Sequence, residues 1–320
     1  MKRIFKPSRY YFTFGPNEPA FRVEPGDTVT INTVDARGFD EHYRPIPDEL
    51  KQRSEGVIYH ERNPLVGPFY IEGAEPGDAL SVEIERIHPN RDTAWSRIGP
   101  HFGSLTEEVP GRRLLLNEPL PRLHFSWRLD LERNVGILDL PKSKIGRVEI
   151  GLHPFIGSIG VAPPQGRVEP SLTPGEYGGN MDCVETKEGT TLYLPVFVRG
   201  AYLAFGDVHA TQGDGELCGT ALEVSAEVTV KVDLVKGWGI GWPRLEDEEH
   251  IMVAGSSRPL MEAYKIAHLE LIEWLTKDYG FDRMEALQVV TQVGTCRIGN
   301  VVDPNYTVVA KFPKRYLPTS

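Results

Sequence analysis

Cysteine is scarce in this chain: three in 320 residues, Cys183, Cys218 and Cys296, odd in number and far apart. That spacing excludes a disulfide framework and a Cys-x-x-Cys metal knuckle, and it fits a reducing compartment, so a cytoplasmic location is expected. Basic excess is also missing. The formal net charge is −10, which argues against a nucleic-acid partner or an anionic membrane surface, since either calls for a basic stripe. No run approaches the roughly 20 apolar residues of a membrane-spanning helix. The opening MKRIFKPSRYYF carries positive charge but no apolar stretch behind it, so no secretory signal is read there.

What is plentiful is turn chemistry. The chain has 32 glycines and 26 prolines beside a 40% hydrophobic fraction, which favours short strands joined by turns. Ala20–Val34 (AFRVEPGDTVTINTV) and Gly67–Ile84 (GPFYIEGAEPGDALSVEI) each place Glu-Pro-Gly-Asp before alternating strand residues, and each reads as a hairpin. Further strands are expected at Thr191–Val198, Ala201–Phe205, Leu222–Val232 and Tyr306–Lys311. Helical spacing appears late, at Leu260–Leu275 with Ser256 or Ser257 as cap, and at Asp282–Val293 with Asp282 as cap. The expected fold is mainly β, sandwich- or barrel-like, with a small helical insert near the C-terminus. It forms either one unit over 1–320 or two β lobes, about 1–165 and 166–320.

One stretch spends unusually many polar groups. Gly206–Glu216, GDVHATQGDGE, holds Asp207, His209, Gln212, Asp214 and Glu216. On a strand, Asp207 and His209 share a face about 7 Å apart along the backbone. Carboxylate and imidazole are ligands expected of zinc, with calcium or magnesium favoured if oxygens dominate. So dense a set of like charges is costly unless a cation neutralises it. The alternative is a solvated turn, since Gly and Asp are common turn residues. Gly175–Glu185, GEYGGNMDCVE, adds Asn180, a hydrogen-bonding group, and Asp182, a ligand or base; an Asx-type turn is the plainer reading there.

Together these pieces resemble the acetamidase/formamidase family. The resemblance is carried by VEPGDTVTINTVDARG at Val23–Gly38, NPLVGPFYIEGAEPGDALSVEI at Asn63–Ile84, GGNMD at Gly178–Asp182 and TTLYLPVFVRGAYLAFGDVHATQGDGELCGTALE at Thr191–Glu223. It implies a mainly β fold, a homo-oligomer (a dimer or higher), and hydrolysis of a short linear amide to carboxylate and ammonia. It also implies a zinc or calcium site drawn from Asp35, Asn180, Asp182, Asp207, His209, Gln212, Asp214 and Glu216. The stretches 38–63 and 90–143 depart from the family's usual pattern and are read as shaping the pocket.

Three designs for amide hydrolysis can be weighed. A serine elbow needs G-x-S-x-G, and IGSIG at Ile156 lacks the first glycine. Cys183 would need a neighbouring base and a lowered pKa, and a small buried residue is the simpler reading. Water activated by a divalent ion, expected to be zinc with calcium as the alternative, fits best. In that design Asp207, His209 and Asp35 are metal ligands, and Asp182 is a third ligand or the base. Glu216 moves protons, and Asn180 or Gln212 donates to the substrate oxygen. Asp214, His60 and His153 are placed at the substrate, though a surface or loop histidine is the ordinary reading for the last two. A metal-dependent hydrolase of a cyclic or N-substituted amide, and a non-catalytic metal-binding β protein, are the other readings.

Overall fold

The computed structural model describes residues 1–54, 61–100, 102–105 and 120–318. Among them, two large sheets face each other in an open sandwich, neither closing into a barrel. The nine-stranded sheet runs Lys2–Phe5, Thr28–Asn32, Ala226–Val235, Ala79–Pro89, Thr191–Pro195, Arg244–Glu246, His250–Ser257, Tyr306–Pro313, Thr295–Ile298. The twelve-stranded sheet has Gly146–Gly151, Val135–Leu140, Leu123–Asp130, Thr93–Ile98, Glu223–Val224, Leu203–His209, Leu65–Ile71, Tyr10–Tyr11 and Lys51–Gln52 along its spine. Phe155–Gly160 branches from it, pairing with both Leu203–His209 and Gly178–Asn180. Both sheets interleave strands from the two halves of the chain, so a boundary near residue 165 does not follow them.

Period-two patterning explains the interface between the sheets. In Ala226–Val235, Ala226, Val228, Val230 and Val232 are fully buried while Glu227, Thr229 and Lys231 face outward, as a strand covered on one side requires. Each buried valine contributes about 1.5 kcal/mol or more of burial free energy. These residues share a core with Leu65, Phe69, Ile156, Leu203 and Phe205 of the opposite sheet.

The two Glu-Pro-Gly-Asp segments are not hairpins. Phe21–Val23 pairs with Leu65–Ile71 in one sheet, whereas Thr28–Asn32 lies in the other. Likewise Leu65–Ile71 and Ala79–Pro89 belong to different sheets. Each segment is a corner that carries the chain across the sandwich. The alternation on either side of the turn is real, but it reports two half-buried strands and not that they pair with each other. Asp27 and Asp78 close the corners identically, accepting from the backbone N–H of Glu24 (3.0 Å) and Glu75 (2.9 Å).

The helices come where helical spacing was expected, as Leu260–Tyr279 and Arg283–Val293. Asp282 caps the second through Met284 and Glu285 N–H. Ser256 and Ser257 do not cap the first; they end the strand His250–Ser257, and Pro259 occupies the N-cap. The first helix lies on that strand, where a Cβ at Gly255 would come within 2.6 Å of the Ala263 carbonyl. No helix among the described residues is long and apolar enough to cross a membrane.

Candidate active site

Strand Leu203–His209 runs through the middle of the twelve-stranded sheet and ends in the polar block. Asp207 and His209 leave it on one side, His209 Nε2 lying 3.5 Å from Asp207 Oδ2. Asp182 arrives from the segment after Gly178–Asn180, which Asn300 pins through the carbonyls of Asn180 (3.2 Å) and Met181 (3.4 Å). Between these arms sits Gly157. A Cβ there would come within 2.8 Å of Asp182 Oδ1 and 3.1 Å of Asp207 Oδ2, so only glycine lets the two carboxylates converge.

Two sets of potential ligand atoms, each within 4.8 Å, share His209: Asp182, Asp207 and His209, then His209, Glu216 and Glu223. All five residues are buried. Asp182, Asp207 and Glu216 hold φ of 45°, 55° and 51°, a left-handed conformation costing a non-glycine residue about 1–2 kcal/mol. Strain of that kind persists where a site is over-determined by its surroundings.

The electrostatics are unbalanced. Burial, then the neighbouring Glu216, Asp303 and Asp207, push the Asp182 carboxyl well above its ordinary range. Burial does the same to Glu216 and Glu223. Asp303 rises to about 7, mainly through burial, with hydrogen bonds from the Asp182 carboxyl and Asn180 holding it back. Burial alone would lower His209, but Glu223 and Asp207 outweigh it and lift the imidazolium to about 9. Three buried carboxylate oxygens, Asp182 Oδ1, Asp207 Oδ1 and Glu223 Oε2, have no hydrogen-bond partner among the described residues. Buried polar atoms seldom stay unpaired. Protons or a cation must supply what is missing, and an oxygen-rich set with one imidazole suits a divalent ion.

Gln212 is not among the residues that line the cavity described below. Its Nε2 donates to the carbonyls of Asp182 (3.1 Å) and Gly299 (2.9 Å), which turns Oε1 toward His209 Nδ1 at 2.9 Å. An amide oxygen only accepts, so Nδ1 carries the proton and Nε2 is left for the carboxylate side. Asn180 likewise spends Nδ2 on Asp182 (2.9 Å) and Asp303 (2.7 Å), while its Oδ1 accepts from Ser158 Oγ and from Asn63 Nδ2.

Asp35 is in neither set of converging ligand atoms, and both of its oxygens are already met by donors. Its Oδ2 accepts from Arg91 (2.6 Å) and the Trp95 indole (3.0 Å), and Oδ1 from two backbone N–H groups. It fixes the wall of the pocket. Asp214 is exposed and paired with Arg297, 2.8 Å from Nε. His153 is exposed and lines no part of the cavity, and His60 lies outside the described residues. Cys183 is fully buried beside Glu185, and burial first, then that carboxylate, keeps its thiol protonated. Glu223, Asp303, Asn63 and Ser158 join the site without having been expected.

Above the acids opens a cavity of about 250 Å³, with Asn180, Asp207, Glu216, Glu223 and Asp303 at its floor and Trp95, Arg37 and Arg97 among its walls. Fold and site together define a β-sandwich protein with a buried acid–imidazole centre under an accessible pocket.

The sequence model of the acetamidase/formamidase family matches residues 14–169 and 167–317; the chain belongs to this family. Its fold is similar to that of an acetamidase from Yersinia enterocolitica, with a TM-score of 0.86 and 38% identity, over 100% of this chain and 94% of the other. In sequence it is 26% identical to a formamidase of Methylophilus methylotrophus, over 91% of this chain and 85% of that protein. It is 30% identical to an acetamidase of Mycolicibacterium smegmatis over 54% of this chain. The match to that acetamidase spans 53% of its length, and a match to a Schizosaccharomyces pombe relative spans 61% of that protein.

Proposed function

We propose that this protein is an amidohydrolase that cleaves the C–N bond of a short linear amide to carboxylate and ammonia at the acid–imidazole centre. The observation that carries the reading is the set of three unpartnered buried carboxylate oxygens beside His209, in a chain of this family. Asp182, Asp207 and His209 would hold a divalent cation, zinc or calcium, with Glu223 adjoining. Such an ion lowers the pKa of water and polarises a carbonyl.

The chain's own groups cover the proton transfers. An amide nitrogen leaves poorly unless protonated, and the attacking water must lose a proton. Asp303, held near 7, suits acceptance of the water proton at neutral pH. Glu216, kept in its acid form by burial and by Asp303 and Asp207, suits delivery of one to the leaving nitrogen. Both line the cavity. Asn63 donates to Asp207 Oδ2 (2.6 Å) and Asn180 Oδ1 (3.2 Å), which orients Asp207 so that Oδ1 stays free.

The test is ammonia release from a panel of short amides, run beside elemental analysis of the purified protein. Turnover with about one divalent ion per chain supports the reading. Full turnover by rigorously metal-free protein removes the cation from it, and no ammonia from any amide removes the activity.

A further inference from the structure

The floor of the pocket is acidic, but its mouth is not. Arg37, Arg62 and Arg97 line the cavity, and Arg37 and Arg97 also line an adjoining hollow of about 350 Å³ with Arg122 and His124. This chain carries a net charge of −10, and its arginines are generally spent on carboxylates. Arg91 pairs with Asp35, Arg147 with Asp139, Arg133 with Glu149, Arg244 with Asp278 and Arg297 with Asp214. Among the described residues, Arg37, Arg62, Arg97 and Arg122 have no carboxylate oxygen within ion-pair distance.

The Arg37 side chain and the Arg97 backbone are also held in place. The Arg37 guanidinium lies 3.8 Å over the Trp95 ring, whose other neighbour is His124 at 6.2 Å. Trp95 is itself anchored on Asp35. Arg97 is half-buried, and its backbone is clamped to Thr220 on both sides, N–H to Oγ1 at 2.9 Å and carbonyl to Oγ1 at 3.1 Å. Burial, then Arg62 and Arg37, lower the proton affinity of Arg97, so these cations are close enough to repel one another. Clustered guanidinium groups with rigid supports and no anion are a receptor for one, and arginine binds carboxylate or phosphate oxygens through its planar fork.

The cavity is also roomier than a minimal amide requires. At about 250 Å³ it is many times the roughly 10–15 Å³ that one water needs on the same measure. Because Arg37, Arg97 and Phe102 belong to both hollows, a molecule with its amide over the acid floor presents its far end to the arginines.

We propose that the amide hydrolysed here carries an oxyanion, a carboxylate or a phosphate-type group, a short chain away from the amide carbon, and that Arg37, Arg97 and Arg122 bind it. This rests on the amidohydrolase reading and names its substrate class.

The test compares succinamate, 3-phosphonopropanamide and uncharged butyramide as substrates of the full-length, metal-loaded chain, with ammonia as the readout. One of the anionic amides is expected to exceed butyramide in kcat/KM by about tenfold or more, as one to two charge-assisted hydrogen bonds allow. Which of the two leads tells carboxylate from phosphate. Arg122→Gln is expected to shrink that preference by about tenfold through KM, and to weaken calorimetric binding of succinate or phosphonate by a similar factor, with the melting temperature unchanged. If butyramide is turned over as well as either anion, the inference falls while amide hydrolysis stands. If the preference survives Arg122→Gln and Arg37→Gln alike, these arginines are not the receptor. If no amide releases ammonia from folded, metal-loaded protein, the functional reading fails and the inference goes with it.

Discussion

Two populations of buried carboxylates share this molecule, and they behave oppositely. Asp27 and Asp78 sit at the sheet-crossing corners, Asp35 in the pocket wall; each is 5% exposed or less. All three are saturated with donors. Asp78 accepts from Glu75 and Gly237 N–H and pairs with Lys236, and Asp27 takes Glu24 N–H, the N-terminal ammonium and Arg3. Burial alone would raise both, yet these partners hold Asp27 and Asp78 below the ordinary carboxylate range. Asp182, Glu216 and Glu223 are no more deeply set in any way that matters, but they face one another, and all three are driven upward. Burial does not mark the site. Missing counter-charge does.

The sharpest way to break that contrast is to remove the imidazole. His209→Ala is expected to abolish bound metal and lower amide turnover by about a thousandfold or more, some 4 kcal/mol of barrier. Wild-type metal content in that variant would mean the cation sits elsewhere. The same substitution has a pH signature in metal-free protein. A histidine raised to about 9 from an ordinary 6.5 contributes stability that is complete below about 6.5 and is lost as pH climbs through 9. The melting-temperature gap between wild type and His209→Ala should therefore narrow over that window.

Asp35→Ala is the converse experiment. It leaves the Arg91 guanidinium buried without its partner, a change expected to cost about 3–5 kcal/mol in denaturant unfolding, while refolded protein keeps its metal. Loss of metal at unchanged stability would return Asp35 to the ligand set. A smaller effect is expected from Gln212→Leu, which releases His209 Nδ1. Metal affinity should drop about 10- to 100-fold, measured by competition with a chelator, without loss of fold. Smallest is Asp78→Ala, at about 1–2 kcal/mol from the stranded Glu75 and Gly237 N–H groups, since the Lys236 partner is mostly exposed and adds little. Because the Asp78 carboxyl is depressed, its contribution is present above about pH 4 and disappears on acidification through its folded value, where the variant and the wild type should converge.

The sequence was most readable where function and local geometry coincide. Asp207 and His209 stand two apart on a strand, so alternation alone predicts that they share a face, and they do meet. Glu223 escaped for the opposite reason. The run Leu222–Val232 reads as one alternating strand, which assigns Glu223 to the outward phase with Glu227 and Lys231. In fact the chain changes sheets at Ser225: Glu223–Val224 pairs beside His209 in one sheet, and Ala226–Val235 begins in the other. The phase of the second strand says nothing about the first. The Glu-Pro-Gly-Asp corners misled in the same way, since alternation reports exposure and not which strand is the neighbour. Asp303 precedes Pro304, far along the chain from the other acids of the site. The long-range approach of Asn180, 123 residues away in sequence, and of Asp182 makes it part of the site.

Gly157 adds no atom to the chemistry, and its contribution is an empty place. One methyl group there would crowd both Asp182 and Asp207, acting as a plug where the cation is proposed to sit. The protein's capacity to bind would then be set by the smallest change a codon can make at that position, with every acid and the imidazole still in the sequence.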